Sequence, residues 1–110
     1  MTGLVKKFET IKNYILGEKY AMSLVFAGNN LMKKLNRIYR KKPKPADVLA
    51  FPLSKNEGEI FINKINKNDV IYLFIHALLH LKGYKHGKKM DEVEKKLIKK
   101  FNHATHNKWN

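Results

Sequence analysis

The run Val70-Ile71-Tyr72-Leu73-Phe74-Ile75-His76-Ala77-Leu78-Leu79-His80-Leu81-Lys82-Gly83-Tyr84-Lys85-His86 joins the longest apolar stretch of the chain to three of its five histidines. Val70 to Leu81 is 12 residues long, and a membrane span needs about 20. The stretch therefore predicts a core helix. Asn68 and Asp69 offer a cap and an N-terminal charge for it, and Gly83 ends it. Residues four apart on a helix share a face, with Cβ atoms about 5–6 Å apart, so His76 and His80 can converge on one ion. A ligand from the next turn would face elsewhere. Gly83 removes that obstacle, because a left-handed residue turns the chain back and brings His86 in from the following loop. The pattern predicts three histidines, His76, His80 and His86, holding one divalent transition metal, zinc first, with a coordination position left open. A single histidine on an apolar helix is more often a core residue bonded to backbone. Two at i,i+4, a helix-ending glycine and a third histidine three residues on are hard to obtain by accident. His103 and His106 lie in a polar tail without a scaffold and read as solvent-exposed.

Working outward, Leu4, Phe8, Ile11 and Ile15 recur at helical spacing and Gly17 closes that helix. Tyr20 to Phe26 reads as a strand. Asn30 can cap a second helix with Leu31, Leu35 and Ile38 on one face, ending in Arg37, Tyr39, Arg40, Lys41 and Lys42. Pro43 and Pro45 forbid its continuation. Asp47 to Phe51 predicts a short strand stopped by Pro52, then a Ser54–Gly58 turn and a strand over Glu59 to Asn63. After the histidine helix, Met90, Val93, Leu97 and Phe101 form a stripe, with Asp91–Lys95 and Glu92–Lys96 as i,i+4 pairs on the wet side. From Asn102 the tail is polar and expected to fray. The order α-β-α-β-β-α-α predicts an α+β fold, a small mixed β-sheet packed with helices, with the metal site at the end of the core helix.

The chain has 110 residues, 44% hydrophobic, which suits one domain over 1–110. It has no cysteine, so histidine and carboxylate are the available metal ligands. No signal-peptide stretch opens it, which makes the cytoplasm the default expectation and a membrane partner an unexpected one. Lys plus Arg total 23 against 9 Asp plus Glu, a net charge of +14. Such a chain attracts nucleic acid, although lysine spread along the whole sequence also fits a merely solvated surface.

The histidine spacing is that of the zinc-protease pattern H-E-x-x-H-x-x-G-x-x-H, with Ala77 where the glutamate base would stand. The metal scaffold is kept and the group that activates water for peptide hydrolysis is not.

The segment HALLHLKGYKH, followed by Met90 and Glu94, resembles the H-G-x-L-H-L-x-G-Y-D-H signature of the bacterial YbeY-type endoribonucleases. LNRIYRKKPKPADVLAFP resembles that family's L-N-x-x-Y-R…P-T-D-V-L-S-F-P stretch, and Gly58-Glu59-Ile60 its G-D-I step. The likeness runs from Leu24 to Glu94. It implies a metal-dependent, single-strand-specific endoribonuclease acting in ribosomal RNA maturation and ribosome quality control, with RNA and the ribosome as partners. It places the zinc ligands on His76, His80 and His86, and a cleft arginine on Arg40. Ala77 replaces the family's glycine, Ala46 and Ala50 a threonine and a serine, and Lys85 the aspartate before the third histidine. The chain is also shorter than is usual for the family, before the first strand and between Glu59 and His76. Lys41, Lys42, Lys44, Lys82 and Lys85 are expected to flank the cleft and guide the RNA backbone. The alternative function is an RNA- or ribosome-binding module with a structural metal and little catalysis; a minimal metalloprotease is disfavoured by Ala77.

Overall fold

A hairpin built on a central strand organises the molecule. In this computed structural model residues 2–66 and 69–109 are described, with side chains for 3–66 and 69–101. The element order is α1 (Thr2–Leu16), β1 (Ala21–Ala27), α2 (Asn29–Arg40), β2 (Val48–Ser54), β3 (Glu57–Asn63), α3 (Val70–Lys82) and α4 (Lys88–Trp109). Strand order is β1-β3-β2, with β1 parallel and β2 antiparallel to β3. This is the mixed sheet and α+β class expected from the sequence.

Side chains alternate across the sheet as the pleat requires. Ile60 and Ile62, both fully buried, face a core shared with Phe8 and Ile11 of α1, Phe74 and Leu78 of α3, and Met90 and Leu97 of α4. On the opposite face Leu49 and Phe61, paired across β2 and β3, pack with Met32 of α2 and Ala46. Phe8 meets Phe74 edge-on at 4.7 Å between ring centroids. Helix α3 thus lies against the sheet, flanked by α1 and α4, with Leu73 to Ile75 and Ala77 to Leu79 buried. Gly58 makes the close approach possible. A Cβ there would stand 2.9 Å from a Leu81 methyl carbon of α3 and would collide with the Tyr20 hydroxyl. Among the described residues no helix is long and apolar enough to cross a membrane.

Several local expectations are corrected. Strand β2 does not stop at Pro52 but continues to Ser54, with the turn confined to residues 55 and 56. An edge strand can carry a proline because one side of its ladder has no partner, and a register irregularity falls just after it. The buried stripe of α2 is Met32 and Asn36; of the expected face Leu35 packs half-buried beside them, while Leu31 and Ile38 are exposed. The face is offset by one residue, or about 100° of helix rotation. The cause is polar: Asn36 Nδ2 donates to the Lys44 carbonyl at 2.7 Å and ties the following loop to the helix. Helix α2 begins at Asn29 with Gly28 as its cap residue, not Asn30. Leu4 at the start of α1 is exposed, and that stripe begins at Phe8.

Helix α4 runs through the predicted frayed tail to Trp109, where neither glycine nor proline interrupts it. Asn68, and the side chains of His103 and His106, lie outside the described residues. Asp69 caps α3 by position, without a side-chain hydrogen bond. Neither Asp91–Lys95 nor Glu92–Lys96 closes into an ion pair; among the described residues the one carboxylate pair is His76–Glu94. Exposed pairs of flexible side chains gain too little to hold one geometry.

Candidate metal centre

The histidine site grows from the end of α3. Gly83 takes the left-handed conformation, φ 112°, and its N–H bonds the His80 carbonyl at 3.0 Å. The Tyr84 N–H returns to the Leu79 carbonyl at 3.0 Å, so the chain reverses within three residues and delivers His86 onto His76 and His80. The ring centroids stand 4.7, 5.2 and 4.5 Å apart for His76–His80, His76–His86 and His80–His86. One nitrogen of each ring lies within 4.8 Å of the other two, a group able to hold a metal ion.

Hydrogen bonds fix which nitrogens face inward. His80 Nδ1 lies 3.1 Å from the Tyr84 carbonyl, which can only accept, so the proton sits on Nδ1. His76 Nδ1 lies 2.6 Å from Glu94 Oε2, a carboxylate buried between α3 and α4. With both Nδ1 atoms engaged outward, the Nε2 atoms of the two rings face each other at 3.2 Å. Two nitrogens at that distance need a shared cation between them, either a proton or a metal ion. Zn–N bonds of about 2.0–2.1 Å in a tetrahedron put ligand nitrogens about 3.3 Å apart, so the donor set fits such an ion. Burial, and then the charges of His76, His86 and Arg40, lower the His80 pKa below its usual value, against the raising effect of the Tyr84 carbonyl. Each lowering effect favours the neutral, ligating form. His86 is exposed, which leaves the outer side of the group open.

The open side is a cleft of about 570 Å³ walled by Tyr39, Arg40, Leu49, Ala50, Phe51 and the three histidines. A second hollow of about 280 Å³ shares Arg40 and His76 with it and extends past Lys42, Lys44 and Tyr72. The end of α2 places Arg40 in the wall of the same cleft as the three histidines. Its guanidinium makes no hydrogen bond or ion pair among the described residues. Lys42 and Lys44 line the groove, whereas Lys82 turns away and donates to the Ile15 carbonyl at the end of α1, at 2.9 Å. Lys41 and Lys85 are exposed outside both hollows. Among the described residues no carboxylate lines this cleft, in keeping with Ala77 at the protease position, and Asp47 lines the adjoining hollow. Sequence reasoning missed Glu94 as the partner of His76, although a carboxylate four residues after Met90, on the buried stripe of α4, was a signal for it. It also missed Tyr39 and Phe51 as cleft walls.

Fold and site together define a small α+β protein with an open three-histidine cluster in a basic groove. The family model described as Endoribonuclease YbeY matches residues 2–109. The chain is 36% identical to the Endoribonuclease YbeY of Pelagibacter ubique, over 86% of this chain and 74% of that one. To the Endoribonuclease YbeY of Clostridium botulinum it is 29% identical, over 90% and 89%. A solution structure of a Thermotoga maritima protein superposes with a TM-score of 0.58 at 26% identity, covering 97% of this chain and 84% of that one. The chain belongs to the endoribonuclease YbeY family, a family of RNA-hydrolysing enzymes.

Proposed function

We propose that this protein cleaves single-stranded RNA hydrolytically with one zinc ion held by His76, His80 and His86, acting on ribosomal RNA during its maturation and in ribosome quality control in the cytoplasm. The observation that carries the reading is the convergence of His76, His80 and His86, with the Nε2 atoms of the first two 3.2 Å apart, beneath an open cleft that Arg40 lines. A divalent ion held there would supply positive charge that lowers the pKa of water to about 7 and offsets phosphate charge. The chain's residues do the rest. Glu94 and the Tyr84 carbonyl hold two imidazoles in the tautomer that presents Nε2. Arg40 offers its planar fork to a phosphate entering the cleft. Leu49, Ala50 and Phe51 form the cleft's apolar wall.

A second reading, an RNA- or ribosome-binding module with a structural metal and weak cleavage, is favoured by Lys85 at the family's aspartate position. The test is cleavage of ribosomal RNA by purified protein, with and without chelator, alongside His80→Ala and Arg40→Ala. Cleavage is expected from the wild type with metal and is lost or sharply reduced in the other three conditions. Cleavage that survives all three would overturn the proposal.

A further inference from the structure

Tyr39 is 64% exposed at the last turn of α2, beside Arg40. An exposed aromatic ring costs hydration without gaining a core contact, and this one is held in place. Its ring meets Phe51 at 5.0 Å between centroids, and Phe51 in turn meets Phe61 at 5.8 Å, both edge-on. Phe61 belongs to the central strand and packs against the α2-side core. The ladder Phe61–Phe51–Tyr39 therefore carries a braced ring from the sheet interior to the rim of the histidine cleft, whose wall it forms. Arg40, the next residue, lines the same cleft, and Lys42 and Lys44 continue along the adjoining hollow. Cations that follow a backbone, with an aromatic face beside them, are the elements of a single-strand binding groove. Every base offers a π-face, and a duplex keeps those faces stacked inside.

We propose that Tyr39 is the stacking platform for one nucleobase of the single-stranded RNA, setting the adjoining phosphate under Arg40 and toward the three histidines. This rests on the RNA-cleaving reading and deepens it, because it assigns the single-strand preference to a named side chain. Arg40 alone would read phosphates of a duplex equally well. With the ring in place, an unpaired base gains a contact that a paired base cannot reach.

The test is fluorescence anisotropy of a short labelled single-stranded oligoribonucleotide, titrated with the full chain in chelator so that no metal-dependent cleavage consumes the probe. Tyr39→Ala is expected to weaken binding about 5- to 150-fold, Tyr39→Phe to stay within about twofold of wild type, and binding of a duplex RNA to be the same for all three. Equal affinity of Tyr39→Ala and wild type for the single strand would overturn the proposal, as would an equal loss on the duplex. A zinc-loaded cleavage assay separates the two ideas. Cleavage without the Tyr39 effect sinks the platform alone, and the Tyr39 effect without cleavage sinks the nuclease reading alone.

Discussion

Glu94 on α4 accepts the Nδ1 hydrogen bond of His76 on α3 at 2.6 Å, and so joins the last helix of the chain to the candidate metal centre. A carboxylate in this place fixes ring orientation and raises the basicity of Nε2. Glu94→Gln and Glu94→Ala are each expected to weaken zinc binding about 10- to 100-fold, the range found when such supporting partners are lost. Competition against a chromophoric chelator measures this. Unchanged affinity would show that His76 is oriented without Glu94.

The buried core of α1, β3, α3 and α4 contains none of the three histidines. The fold should therefore outlast the metal. Chelated protein is expected to keep its far-ultraviolet circular dichroism and a cooperative melt. Zinc at 100 times its Kd should add about 2.7 kcal/mol. A chain that unfolds in chelator would favour the structural-metal reading.

Gly58 tests the seat of α3 on the sheet. Gly58→Ala pushes a methyl into the Tyr20 hydroxyl and the Leu81 methyl carbon, 2.9 Å away. Overpacking of this kind costs about 1–3 kcal/mol. The buried Tyr20 hydroxyl has no hydrogen-bond partner among the described residues, so Tyr20→Phe removes one clashing atom at small cost. Denaturant unfolding of the two single variants and the double should show coupling, with Tyr20→Phe recovering part of the loss. Strict additivity would place the strain elsewhere.

Arg40 is assigned a phosphate contact, and that contact has a salt signature. Single-strand binding weakens with salt at a slope of about −0.7 per phosphate neutralised. Arg40→Ala should make the slope of log K against log salt shallower by about that amount. A parallel line, lower in affinity but equal in slope, would mean that Arg40 acts on the fold or on a base.

How far the sequence carried differs from element to element. Helix α3 was readable because its signals are local: a 12-residue apolar run, i,i+4 histidines and a left-handed glycine all act within a few turns of one another. The mixed sheet followed from element order. The buried face of α2 is not legible because a polar residue, Asn36, is turned inward beside Met32, and its amide nitrogen bonds a carbonyl eight residues away in a loop. Pro52 reads as a stop in the sequence because a proline is tolerated only at an edge, and strand order is a tertiary fact. At the site, the three histidines came together as their spacing required. Glu94 lies 18 residues beyond His76 on another helix, and no local periodicity links the two.

The most direct test of the central claim is a single titration. Metal-free protein is reloaded stepwise with zinc while bound metal and the rate of single-stranded RNA cleavage are followed in the same samples. Cleavage should rise in proportion to bound zinc and level off at about one equivalent per chain, with His86→Ala showing neither. Full cleavage by the metal-free chain, or none at one bound equivalent, would contradict it.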